Sequence, residues 1–239
     1  MSEQAEKTTI AVDETYSVSG LLTAPARARA FYVLAHGAGA GMHHPFMHAV
    51  AVELAERGIA TLGYHFPYME EGKKRPDGPK LAQATVRAAV AQAAHLMPKL
   101  PLIAGGKSFG GRMTSQAQAA AALPNVRGLA FLGFPLHPPG APSDERAAHL
   151  ADVRVPMLFL QGTRDEFADL DLLRPVAERL APRATLSLFN DADHSFHVRA
   201  RTGNNDAGIR QAMMDVLSAW IDKAISRDRS RDSDVGGST

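Results

Sequence analysis

The chain contains no cysteine. Disulfides, thiolate zinc sites and cysteine nucleophiles are excluded together, which is compatible with a reducing compartment. Charge of one sign is also scarce: 26 Lys and Arg stand against 25 Asp and Glu, a net charge of +1. No chain-wide field draws the protein toward nucleic acid or an anionic membrane. No apolar run approaches the ~20 residues that span a bilayer. The polar start Met1-Ser2-Glu3-Gln4-Ala5-Glu6-Lys7 has no apolar signal core. The expectation is a soluble, cytoplasmic protein with no nucleic-acid or membrane partner. Internal repeats, interdomain linkers and a glycine-rich phosphate cradle are missing as well.

What is present suits one large α/β domain: 239 residues, 45% of them hydrophobic. Beyond a frayed first few residues, the pattern predicts an edge strand within 15–23 and a buried strand over 30–35. A helix over 45–57 stops at Gly58, and the next strand covers 59–64. A charged loop over 65–79 precedes a helix over 80–97, which Pro98 ends. Strand 100–105, helix 111–122 and strand 127–134 follow. The segment 135–142 carries four prolines and is irregular. A short helix over 144–151, strand 155–160, helix 169–180, strand 185–189 and a closing helix over 206–225 complete the order, with Trp220 anchoring that helix on the sheet. Such alternation implies an α/β fold with a mostly parallel, doubly wound sheet flanked by helices. The expected organisation is a single domain over 1–225 and a disordered tail over 226–239, where charges alternate and apolar residues are few.

The most informative stretch is Gly106-Lys107-Ser108-Phe109-Gly110, set between a predicted strand and a predicted helix. Gly-x-Ser-x-Gly in that context is the signature of a nucleophile elbow. The serine sits in a strained turn, so residues two before and two after it must be small. A serine hydroxyl needs a base within hydrogen-bond reach, and the base needs a carboxylate to set its tautomer. In this architecture the order is Ser, then Asp or Glu, then His. Asp165, in Gln161-Gly162-Thr163-Arg164-Asp165, and His194, in Asp193-His194-Ser195-Phe196, follow strands in that order. Ligands on parallel sheets bind at that rim. Two amides are needed for the oxyanion: Phe109, just after the nucleophile, and Ala38, in His36-Gly37-Ala38-Gly39, with Gly39 the alternative.

Each assignment has a plainer competitor. Asp165 also reads as a helix cap, with Glu166 a rival carboxylate; Asp191 and Asp193 read as turn residues. His197 competes as the base, but His194 comes first after the last strand. His36 reads as a loop-packing residue. His43, His44 and His48 cluster at a helix start, yet lack an H-E-x-x-H pattern and a third ligand, so no metal is assigned. Lys107 is a solvent or carboxylate partner, or half of a Ser-Lys dyad that a histidine makes unnecessary. Lys73, Lys74 and Arg75 make a solvated loop or, secondarily, a lip that attracts acidic substrates.

Taken together, several segments make the chain resemble a small, nearly capless α/β-hydrolase related to dienelactone hydrolase. These are His36-Gly37-Ala38-Gly39-Ala40, Phe66-Pro67-Tyr68-Met69-Glu70, Gly105 to Met113, Pro135-Leu136-His137-Pro138-Pro139-Gly140, Gln161 to Asp165 and Asp193 to Phe196. The chain is most similar to the branch shared by bacterial predicted hydrolases, testis-expressed hydrolase-like proteins and a subunit of the NSL chromatin complex. The resemblance runs from about Phe31 to Trp220 and implies Ser108, Asp165 and His194 as the triad. The chain departs from the branch at Phe109, where Met is usual. It departs again at Gly63 and His65, where an Arg and an Asn or Asp usually precede Phe-Pro-Tyr.

The function expected is a serine hydrolase of a small carboxylic ester, thioester or lactone, with no cofactor and a small-molecule substrate. The short connection over 134–144 leaves little room for a lid. His65, Tyr68 and His137 are assigned to line the substrate pocket. The rival is a catalytically silent binding or scaffold protein; a non-hydrolytic acyl transferase or haloperoxidase-like enzyme shares the same triad. Sequence does not specify an oligomeric state.

Overall fold

A computed structural model describes residues 5–199, 203 and 205–235; of 227–235 it describes only the helical backbone. The predicted fraying of the first residues falls mostly on 1–4, outside the described residues.

Strand β3 (Ala30–Ala35) is buried along its whole length, as a strand covered on both faces must be. It pairs in parallel with β4 (Ile59–Tyr64) on one side and β5 (Leu102–Lys107) on the other. The parallel series continues through β6 (Val126–Leu132), β7 (Met157–Gly162) and β8 (Ala184–Phe189). On the other flank β2 (Ser17–Thr23) runs antiparallel to β4, and β1 (Glu6–Ala11) antiparallel to β2. The result is one eight-stranded sheet in the order β1-β2-β4-β3-β5-β6-β7-β8.

Alternate residues of β3 face opposite layers. Ala30, Tyr32 and Leu34 join a core with α1 (Pro45–Glu56) and α6 (Asp206–Val235). Phe31, Val33 and Ala35 join the core beneath α3 (Pro79–Leu96), α4 (Phe109–Ala120) and α5 (Leu170–Arg179). Trp220 anchors α6 as expected: a Cβ at Gly128 of β6 would lie 2.6 Å from its indole. Between β6 and β7 there is only a 3-10 helix, Glu145–Asp152, packed against α4. Among the described residues no helix is long and apolar enough to cross a membrane.

Three features beyond small shifts of element ends differ from expectation for physical reasons. Strand β1 is not apparent in the sequence because its side chains are mostly polar and only Ile10 is buried. Such polarity suits a sheet edge, and β2 is therefore not the edge strand. A one-turn helix α2 (Pro67–Glu70) interrupts the predicted 65–79 loop, opened by Pro67 at its first position. Helix α6 continues past Ile225 to Val235, over residues without Gly or Pro, up to Gly236-Gly237. The predicted disordered tail therefore begins in helix; residues 236–239 lie outside the described residues.

Candidate active site

The elbow is tighter than the sequence suggests. Strand β5 runs through Lys107 and helix α4 begins at Phe109, so Ser108 alone makes the turn. Its φ of 48° and ψ of −114° are a strained conformation for a residue with a Cβ. Two neighbours make the turn possible. A Cβ on Gly106 would run into the Ala35 carbonyl, and one on Gly110 would lie 2.5 Å from the His36 carbonyl. The chain therefore crosses β3 at backbone contact, and Ser108 is lifted over the rim. As N-cap of α4 it makes no side-chain capping bond. Its hydroxyl turns instead to His194.

His194 Nε2 lies 2.8 Å from Ser108 Oγ, and His194 Nδ1 lies 2.7 Å from Asp165 Oδ2. An ionised carboxylate only accepts, so Nδ1 carries the proton and Nε2 is left to accept from the serine. The Asp165 side chain is fully buried. Its Oδ1 accepts from Phe167 N at 2.8 Å, and Gln161 Nε2 donates to its Oδ2. Gln161 Oε1 in turn accepts from Phe134 N at 2.9 Å, which ties the carboxylate to the end of β6. Gln161 is missing from the sequence assignment, although it stands four residues before Asp165 in the segment that marks the resemblance.

The competitors find other work. Asp169, not Asp165, caps α5, accepting from Asp171 N at 2.9 Å. Glu166 is exposed. Asp193 folds the His194 loop by accepting from Ser195 N and His197 N at 2.8 and 3.0 Å. His197 is exposed and pairs with Asp206 at 2.9 Å, which raises its pKa. His36 is buried between loop partners: its Nε2 accepts from Phe66 N at 3.2 Å, so its Nδ1–H donates to the Gly37 carbonyl at 2.8 Å. Burial lowers its pKa to about 4. His44 caps α1, accepting from Phe46 N at 3.2 Å, while the His43 ring meets His65. Among the described residues no three His, Asp or Glu are grouped to hold a metal. Lys73 pairs with Glu71 in an exposed loop.

A cleft of about 280 Å³ opens over Ser108, lined by Ala38, Ala40, Phe46, Met47, Phe167 and His194 among others. The residues assigned to line it do not. His65 follows β4, on the far side of β3, and its ring lies behind the early loop, where a Cβ on Gly41 would be 2.8 Å from it. It pairs there with Glu70 at 3.2 Å. Tyr68 is buried against His36 and Phe66. His137 accepts from Asp169 N at 2.9 Å, bracing the loop between β7 and α5. Phe109 packs edge-on to Phe66 instead of narrowing the cleft. The apolar wall comes from Phe46 and Met47 at the start of α1 and from Phe167, whose ring lies 4.3 Å from the His194 ring. Local periodicity cannot reveal such a wall, because its parts come from loops far apart in sequence.

Solved structures share this architecture. A dienelactone hydrolase from Anabaena variabilis superposes with a TM-score of 0.73 at 22% identity, covering 91% of this chain and 96% of that one. An alpha-beta serine hydrolase homologue from Coxiella burnetii gives 0.71 at 17% identity, over 90% and 96%. A lidless α/β serine hydrolase from Xanthomonas campestris gives 0.70 at 20% identity, over 92% and 96%. At these identities the likeness is one of fold. Residues 28–222 match the family described as the alpha/beta hydrolase domain, and the chain belongs to that family.

Proposed function

We propose that the chain is a serine hydrolase that cleaves compact carboxylic esters, thioesters or lactones through an acyl-enzyme on Ser108. The observation that carries this is the continuous Ser108–His194–Asp165 hydrogen-bond relay at the floor of an open cleft. Ser108 Oγ attacks the carbonyl carbon while its proton passes to His194 Nε2. Asp165 holds Nδ1–H and stabilises the imidazolium. The imidazolium then protonates the leaving oxygen or sulfur as the carbonyl re-forms. Water, deprotonated by the same nitrogen, releases the acid and restores Ser108.

The oxyanion is assigned to the Ala38 and Phe109 amides. Phe109 opens α4, so its N–H has no intrahelical acceptor, and Ala38 lines the cleft. Each such donor is worth about 2.7–4 kcal/mol in acyl transfer. A blocked cleft or a long Asp165–His194 separation would favour the silent-scaffold alternative; the open cleft and the 2.7 Å contact support turnover instead.

Intact mass after exposure to a fluorophosphonate probe tests the proposal. The expected result is one adduct on the wild type and none on Ser108→Ala. A folded wild type that stays unlabelled would favour the scaffold. Substrate size is a second expectation. With about 280 Å³ to fill, kcat/KM for p-nitrophenyl esters is expected to peak at short acyl chains. A steady rise toward long-chain esters contradicts the compact pocket.

A further inference from the structure

Lys107 precedes Ser108, yet among the described residues it forms neither the carboxylate ion pair nor the serine dyad open to it in the sequence. Its side chain turns under the loop that follows β8. There Nζ donates to the backbone carbonyl of His194 at 2.6 Å and stands 5.6 Å from the centre of the Phe196 ring. A Cβ on Gly37 would lie 3.3 Å from its Cγ, and one on Gly133 would lie 3.1 Å from Nζ. The loops after β3, β6 and β8 thus converge on a side chain from the end of β5. Phe196, beneath the ammonium, adopts a φ of 63°, a strained conformation for an aromatic residue. The turn that carries His194 is folded from within by Asp193, and Lys107 adds a contact from outside it.

We propose that Lys107 is a positioning residue for the hydrolase: its ammonium grips the His194 carbonyl and holds the imidazole between Ser108 and Asp165. This rests on the assignment of Ser108 and His194 above. Removing the charge weakens the grip, so hydrolysis depends on the ammonium staying protonated. Asp165 and Asp193 face it and favour its charge, but burial outweighs them and lowers its pKa to about 8. The other titratable groups near it are His194 itself and His44, which lines the same cleft. Among the described residues no carboxylate makes an ion pair with this cation, so holding it away from water is costly, and a strongly perturbed charge beside Ser108 marks a candidate functional residue.

The test compares full-length wild type, Lys107→Met and Lys107→Gln. The readouts are fluorophosphonate labelling rate, kcat/KM for p-nitrophenyl acetate from about pH 6 to about pH 10, and thermal midpoint. Wild-type rates are expected to fall above about pH 8. Both variants should lose on the order of 10²-fold in kcat/KM through misplacement of the base. They should also lack that alkaline limb, with a thermal midpoint equal or higher because the half-buried charge is gone. Variants that keep wild-type rates overturn the proposal. So do variants whose rate and midpoint fall together while the limb survives, which is what a merely structural lysine gives. If neither variant folds, a wild-type profile that stays flat above about pH 8 has the same force. A wild type that does not label removes Ser108 as nucleophile and Lys107 with it, whereas equal labelling of wild type and variants removes Lys107 alone.

Discussion

Ser108→Ala and His194→Ala are each expected to lower kcat for p-nitrophenyl acetate by about 10⁵–10⁶-fold, and the double variant by scarcely more. The saturation follows from geometry. The serine proton has one acceptor, His194 Nε2 at 2.8 Å, so removing either partner ends the same proton transfer. Asp165→Asn is expected to cost about 10⁴-fold. The amide group of an asparagine would bring a donor where Gln161 Nε2 and His194 Nδ1–H already donate. The flipped amide would instead face the Phe167 N–H with a donor, and in the unflipped one His194 moves its proton to Nε2, which then faces Ser108 with no lone pair to offer. His197→Ala, in the same series, is expected to stay within about twofold of the wild type, as exposed residues away from a site do. Steady-state rates on the four single variants and the Ser108/His194 double variant decide the matter. Losses that multiply would mean the residues do not act as one unit.

Gly106→Ala is expected to destabilise the fold by more than about 4 kcal/mol, an exceptional loss for adding one methyl group. Gly106 pairs with Ala35 across β3 and β5, and its φ is 144°. An added Cβ would run into the Ala35 backbone carbonyl. That carbonyl belongs to a strand buried on both faces, so it has nowhere to retreat. Gly140→Ala separates sterics from backbone conformation. Gly140 also has a positive φ, 73°, but nothing lies within 4 Å of where its Cβ would be. Its loss should be limited to the strain of about 1–2 kcal/mol for a left-handed residue. Urea midpoints for the two variants make the comparison. Equal midpoints would show that conformation, not the approach of β3 and β5, makes glycine necessary at the elbow.

Much of the fold is legible because buried parallel strands are short apolar runs and the helices between them end at Gly or Pro. Strand β4 and the start of α1 lie where the sequence places them. Ser108, Asp165 and His194 are equally legible, since each follows a strand and parallel strands all present that end to one rim. These are the side chains found in hydrogen-bond contact. The edge strand β1 is not legible: its stability comes from pairing with β2, and its side chains read as solvent-facing.

Side-chain direction within the loops is the part that the sequence left open. His65, Tyr68 and His137 are near the rim in the chain, but the position of β4 outside β3 and the bracing of the β7–α5 loop turn them away from the cleft. Gln161 and Lys107 make contacts with Asp165 and His194 that no local pattern encodes. By itself the sequence determined the alternation of strands and helices, the elbow and the order in which Ser108, Asp165 and His194 follow their strands, because these follow from local sterics and periodicity. Only the tertiary structure decided which side chains wall the cleft and which hold the histidine, because those contacts join loops that the sheet brings together from distant parts of the chain.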